Sequence, residues 1–332
     1  IFKNKIYSYI IYRMDKLKKN IMDSRKIKDS SANIYVKNIE RLRNKLNLKT
    51  DELGFLTSKS EDIFKIINSM KSLQTKKIYL ASIVVVLRAL KKDDTKQFEK
   101  YNKEMFALQK EYNDSRKNQE KSVKQEKNWI SYSELLNVYK YYKNKIKIKK
   151  LRKKTELNAK ELDLLKRYII LSLYIGDPKN NPPRRIRDYA NMEITKKKPD
   201  EKNKENYLYV KNSRNKEFIF NNFKTSQKYG KQQIKVGKNI NNDLNLWLKF
   251  NKSKYLLPNE TEEGPITGTT LTKILQKIFL KQVGKKISVN MIRSIILTEI
   301  YKDVPKIKQL EDIATNMGHS MQEAMETYVK KD

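Results

Sequence analysis

The chain has 332 residues, with 74 lysines and arginines against 38 aspartates and glutamates, a formal net charge of +36. That surplus implies a polyanionic partner, nucleic acid first among them, although AT-rich coding, which raises Lys, Asn and Ile together, accounts for part of the lysine. No cysteine and a single histidine exclude a disulfide framework, a zinc finger and a His-rich metal centre.

Residues 1–27 read as an N-terminal tail or extra helix, and no charged-then-apolar secretory leader opens them. Residues 28–126 read as a small helical bundle. In SANIYVKNIERLRNKLNL (31–48), Ile34, Ile39, Leu42 and Leu46 fall near one stripe, while Lys37, Arg41, Arg43 and Lys45 stay wet. Segments 61–70 and 75–90 continue the pattern. The most apolar run, YLASIVVVLRAL (79–90), carries Arg88 and is too short to span a bilayer, so it is a core helix. A further helix through Phe98, Met105, Phe106 and Leu108 decays into NQEKSVKQEKN (118–128), one apolar residue in eleven, which reads as an interdomain connector. The bundle is suited to gripping a phosphate backbone; plainly solvated helices explain its charge equally well. These features together predict a soluble, intracellular protein that faces DNA or RNA and no membrane.

Residues 127–332 read as a second domain. Ser131 and Glu134 have the spacing of a capping box and start a helix through Leu135, Leu136, Val138 and Tyr139. A second helix, 161–175, ends at Gly176, and the loop DPKNNPPRRIRDY follows. Three strand-like pieces come next, 207–210, 217–223 and 232–236, the last two flanking TSQKYGK as a hairpin. From 239 onward the chain is helical again. The fold class is therefore mainly α with a small antiparallel β-sheet (α+β).

Within this domain, PPRRIRDYANM (182–192) sets three arginines in four positions, and planar guanidinium groups offer the paired donors a phosphate clamp needs. A basic loop touching DNA nonspecifically is the plainer reading. Lys224 ends a strand before a turn, where a lysine is ordinarily surface decoration. In SVNMIRSIILTEIY (288–301), Ser288 can cap a helix on which Asn290 and Arg293 are neighbours, with Ile292, Ile295 and Ile296 free to be buried on roughly the opposite side. A solvated polar face explains that pair too. Pro305 begins a helix that Gly318 can close, and Ser320 with Glu323 starts another at once. His319 sits in that corner, nine residues ahead of Tyr328. A turn histidine and a core aromatic are the simple alternatives.

The order of these features carries more than any one of them. Arg185-Ile186-Arg187-Asp188-Tyr189, the hairpin lysine of FKTSQKYGK, Asn290-Met291-Ile292-Arg293, Met317-Gly318-His319-Ser320 and a following Tyr328 resemble the tyrosine recombinases, the phage-type integrases, over residues 127–332. The front helices resemble that family's core-binding domain in size, helicity and charge only. The PPRR-x-RDY wording is most similar to recombinases of large DNA viruses and their virophages, mobile elements acting in a host nucleus, a viral factory or the cytoplasm.

The resemblance implies a helical core-binding domain (28–126) ahead of a catalytic domain (127–332). It implies cleavage and rejoining of double-stranded DNA by a homotetramer through a 3′-phosphotyrosine, without metal, ATP or other cofactor. Tyr328 is then the nucleophile. Arg185, chosen over Arg184 and Arg187 by the motif, joins Arg293 and His319 on the nonbridging oxygens, and Lys224 protonates the leaving 5′-oxygen. Asn290 stands where the family has histidine, and an amide cannot accept the tyrosine proton. A type IB topoisomerase or telomere resolvase shares the same chemistry. A sequence-specific DNA-binding protein with a decayed site is the alternative outside catalysis.

Overall fold

The computed structural model describes residues 15–48, 53–200, 202–317, 320–323 and 325. Helices run in chain order as α1 (15–25), α2 (Asp29–Lys45), α3 (Phe55–Ser58), α4 (Ser60–Asn68), α5 (Leu73–Ala89), α6 (Lys96–Lys117), α7 (Val123–Asn128), α8 (Tyr132–Ile148), α9 (Ala159–Ile175) and α10 (Ile186–Ala190). Strands β1 (Glu193–Thr195), β2 (Tyr207–Val210) and β3 (Lys216–Phe220) follow, then α11 (Ser226–Tyr229) and β4 (Gln232–Lys235). The chain continues through α12 (Lys238–Phe250), α13 (Gly268–Val283), α14 (Val289–Ile300), α15 (Ile307–Asn316) and α16 (Met321–Glu323). Packing divides it into two compact units. One holds the residues up to Glu120 and those from Pro305, the other Lys121–Val304.

The first unit is built around α5. Ser72 caps that helix by accepting from the Thr75 amide at 3.4 Å, and Leu80 and Ile83 through Leu87 are all buried. Burial on nearly every side follows because α2 and α6 both pack on it, so no single apolar stripe is needed. On α2 the buried stripe is Ala32, Val36, Ile39 and Leu42, spaced at helical intervals, and Ile34, which the sequence pattern puts on that stripe, is half exposed. Asn38 is buried between the two helices; its amide donates to Ser82 Oγ at 3.0 Å, and Ser82 donates to the Ile78 carbonyl at 2.6 Å. The Tyr101 hydroxyl donates to the Leu56 carbonyl at 2.9 Å while its ring stacks on Phe64. Lys117 pairs with Glu311 of α15 at 3.0 Å, and the Ile307 amide donates to Gln119 Oε1 at 3.1 Å. The polar stretch read as a connector contains α7, which Ser122 and Gln125 start with a full capping box.

In the second unit the Ser131–Glu134 capping box is formed as its spacing predicts, with Glu134 accepting from the Ser131 amide at 2.7 Å. Asn158 and Glu161 form another at the head of α9. From Tyr168 to Ile175 α9 is buried on every face, because α8, α12 and α13 surround it.

The sheet has the order β1-β2-β3-β4. It is mixed, which corrects the all-antiparallel expectation: β1 pairs parallel to β2, whereas β2–β3 and β3–β4 are antiparallel. β1 is only three residues long and is pinned by the Ile194 amide donating to the Lys254 carbonyl at 2.7 Å. The mainly helical α+β class stands. No helix among the described residues is long and apolar enough to cross a membrane.

Candidate functional site

The arginine loop is fixed from both ends. α9 stops at Gly176, where a Cβ would lie 2.7 Å from the Ser172 carbonyl oxygen. Asn181 then donates to the Lys235 carbonyl at 3.1 Å and accepts from the Gly237 amide at 2.6 Å, tying the loop to the end of β4. Pro182 and Pro183 remove two backbone donors and stiffen φ, and Arg185 takes the N-cap position of α10 in an extended conformation.

Three neighbouring arginines have three environments. Arg184 is an internal strut: its Nε donates to Asp188 at 3.1 Å, its Nη1 to Gln232 at 2.5 Å, and its guanidinium lies over the rings of Phe220 and Phe223 at 4.2 and 4.8 Å. Arg187 is exposed. Arg185 is half-buried and makes no side-chain hydrogen bond or ion pair with another described residue. Arg293 comes from α14, a helix capped by Ser288 accepting from the Met291 amide at 3.3 Å and anchored by buried Ile292, Ile295 and Ile296. It too is half-buried and unpaired among the described residues.

Arg185 and Arg293 line one cavity of about 220 Å³. Arg184, Asp188 and the two prolines complete its loop side, and Ile296, Leu297 and Ile300 give it an apolar wall. Burial first, and then the charge of Arg185, lowers the pKa of Arg293 below the ordinary arginine value. Burial raises the Asp188 carboxyl above the usual carboxylate range, against the opposing pull of Arg184. Asp188 is the one acid on the wall, and Arg184 already engages it. Behind it, burial drives the Tyr174 phenol well above its ordinary value, and its hydroxyl has no hydrogen-bond partner among the described residues. Guanidinium groups free of ion pairs can each offer paired donors to an oxyanion.

Lys224 and Asn290 do not line this cavity. Lys224 is exposed in the β3–β4 connection, between buried Phe223 and α11. Asn290 is exposed on the first turn of α14. His319 and Tyr328 lie outside the described residues. Sequence reasoning missed the supports. Asn206 is buried; its amide donates to the Asp188 and Asn222 carbonyls at 3.1 and 3.0 Å, and its oxygen accepts from the Asn221 and Asn222 amides. It thus ties the connection bearing Lys224 to the segment that follows Arg185. The four-residue spacing of Arg184 and Asp188 could have announced their pairing; nothing local announces Asn206.

Among solved structures, the chain is similar to the crystal structure of XerA recombinase, at 11% identity over 96% of this chain and 94% of that one, with a TM-score of 0.34. A likeness that slight assigns no residue. No protein-family model and no curated protein matches the chain.

Proposed function

We propose that the chain cleaves and rejoins double-stranded DNA by tyrosine-recombinase chemistry. The observation that carries the reading is the cavity in which Arg185 and Arg293, distant in sequence, stand together, neither of them in an ion pair with a described residue. They would grip the nonbridging oxygens of a scissile phosphodiester and neutralise the charge that grows there, each worth about 3 kcal/mol or a hundredfold in rate. The resemblance of the surrounding motifs supplies the remaining roles.

Tyr328 Oη attacks phosphorus, forming a 3′-phosphotyrosine as the bond to the 5′-oxygen breaks. Lys224 gives that oxygen its proton, and His319 adds a hydrogen bond to the nonbridging oxygens. Phenol has a pKa of about 10, so the nucleophile loses its proton during attack. Asn290 cannot take it, and the proton passes to a phosphate oxygen or to water. The reverse attack by a new 5′-hydroxyl reseals the strand, and the bond energy is conserved throughout. Residues 28–126 would hold the duplex, residues 127–332 would carry the chemistry, and a homotetramer would pair two sites.

The test is a suicide duplex nicked beside a candidate site, with mass spectrometry of the trapped peptide. The wild-type chain should give a gel-stable adduct on Tyr328, and Tyr328→Phe should bind DNA equally well and give none. An adduct that survives in Tyr328→Phe removes that residue as nucleophile. Binding without an adduct in the wild-type chain would favour the decayed DNA-binding alternative.

A further inference from the structure

A second cavity, of about 460 Å³, lies in the same unit at the junction of α8 and α9. Five cations line it: Lys143, Lys147, Lys150, Arg152 and Lys153. The turn bearing Arg152 precedes α9 and the arginine loop follows it, and the two cavities share no lining residue.

Local structure makes these cations converge. Lys143 and Lys147 are one turn apart on a single face of α8. Lys150 then adopts a left-handed conformation, with φ of 50°, which ends the helix and folds the chain into a 3₁₀ turn over Leu151–Lys153. A lysine there is held against its own backbone preference; the fully buried Leu151 anchors the turn. Arg152 is aimed from behind. Asp243, itself buried, accepts from its Nη2 at 3.3 Å and from the hydroxyls of Tyr139, Tyr168 and Ser172 at 3.1, 2.7 and 2.7 Å, while the Asn242 carbonyl accepts from Nη1 at 3.3 Å. Nearby, Glu161 pairs with Lys154 at 2.7 Å. Lys143, Lys147, Lys150 and Lys153 form no ion pair with any described residue. The inner wall is apolar, from Ile146 and the ring of Tyr168.

We propose that this cavity binds a compact polyphosphate, a triphosphate chain free or carried by a nucleoside. Four unpaired lysines match the roughly four negative charges such a chain carries near neutral pH. The volume lies within the range of small-ligand sites. A duplex, by contrast, spreads its charge along an extended line, whereas these cations close round one concavity. The site is independent of the chemistry proposed at the arginine cleft.

Isothermal titration of the full chain, at about 0.15 M ionic strength to suppress diffuse attraction, tests the proposal. Inorganic tripolyphosphate and a non-hydrolysable nucleoside triphosphate are titrated separately. One molecule should bind per chain, and equal affinities would identify the phosphate chain as the whole ligand, whereas tighter nucleotide binding would add the nucleoside. The double variant Lys147→Gln/Lys153→Gln should bind at least about tenfold more weakly. Lys147→Arg/Lys153→Arg should restore binding, and Lys196→Gln/Lys198→Gln, with the same charge loss on an exposed loop of the same unit, should leave it unchanged. Equal losses in the cavity and loop variants, or the lack of a saturable isotherm, overturn the proposal. So does a cavity variant that weakens only duplex DNA binding, which would make this surface a nucleic-acid contact.

Discussion

Arg184 and Arg185 are adjacent and chemically identical, yet they should fail in opposite ways. Arg185→Gln and Arg293→Gln each remove an unengaged donor group, so each should slow strand cleavage about a hundredfold at nearly unchanged stability. Arg184→Gln strands a buried carboxylate and should cost about 3 kcal/mol in chemical denaturation. The pH dependence distinguishes it further. The folded-state pKa of Asp188 is raised, so between the ordinary carboxylate value and that raised value the folded chain holds a proton that the unfolded chain has lost. Stability therefore falls as pH rises through that window. Arg184 limits the fall, and its loss should deepen it. A variant whose stability and pH profile match those of Arg185→Gln would contradict the strut role. Motif wording could favour Arg185, but the reason Arg184 is occupied lies in Gln232, Phe220 and Phe223, three residues that meet it only after the sheet forms.

Elements announced by their own ends were legible. Ser131 with Glu134 and Ser288 before α14 satisfy backbone donors within a few residues, so their signal is local. Ser131→Ala should destabilise the second unit by about 1 kcal/mol, read from its denaturation midpoint. The hydrogen bonds from the Ser131 backbone and side chain hold the Glu134 carboxyl below its ordinary value. Its contribution is thus present above the ordinary carboxylate pKa and disappears as pH falls through the lowered one. In the alanine variant this acid sensitivity should shrink, and an unaltered acid profile would detach Glu134 from the cap. β1 was not legible, because three residues with one apolar side chain show no alternation, and its partners, β2 and the Lys254 carbonyl, are distant in sequence. The left-handed Lys150 was equally silent: it stands between Lys149 and Leu151, with no glycine to mark the turn.

For the molecule as a whole, the periodicity foretold the helices. The ion pair of Lys117 with Glu311 joins residues far apart in sequence and could be found only by folding the chain. A net charge of +36 predicts DNA binding dominated by counterion release. If six to ten phosphates are contacted, affinity should fall by about 10³ to 10⁵ between 50 and 200 mM salt. A flat salt response in a gel-shift titration would reject a backbone-gripping role for the helical first unit.

The side-by-side placement of Arg185 and Arg293 also has a thermodynamic consequence. Two like charges in a half-buried cleft repel each other, so a bound counter-anion relieves strain as well as making contacts. Sulfate, at a hundred times its dissociation constant, should raise the unfolding free energy by about 2.7 kcal/mol and shift the melting temperature upward. Chloride at matched ionic strength should do far less, and the sulfate increment should shrink in Arg293→Gln. The protein would then report occupancy of its own cleft as heat resistance, before any strand is cut.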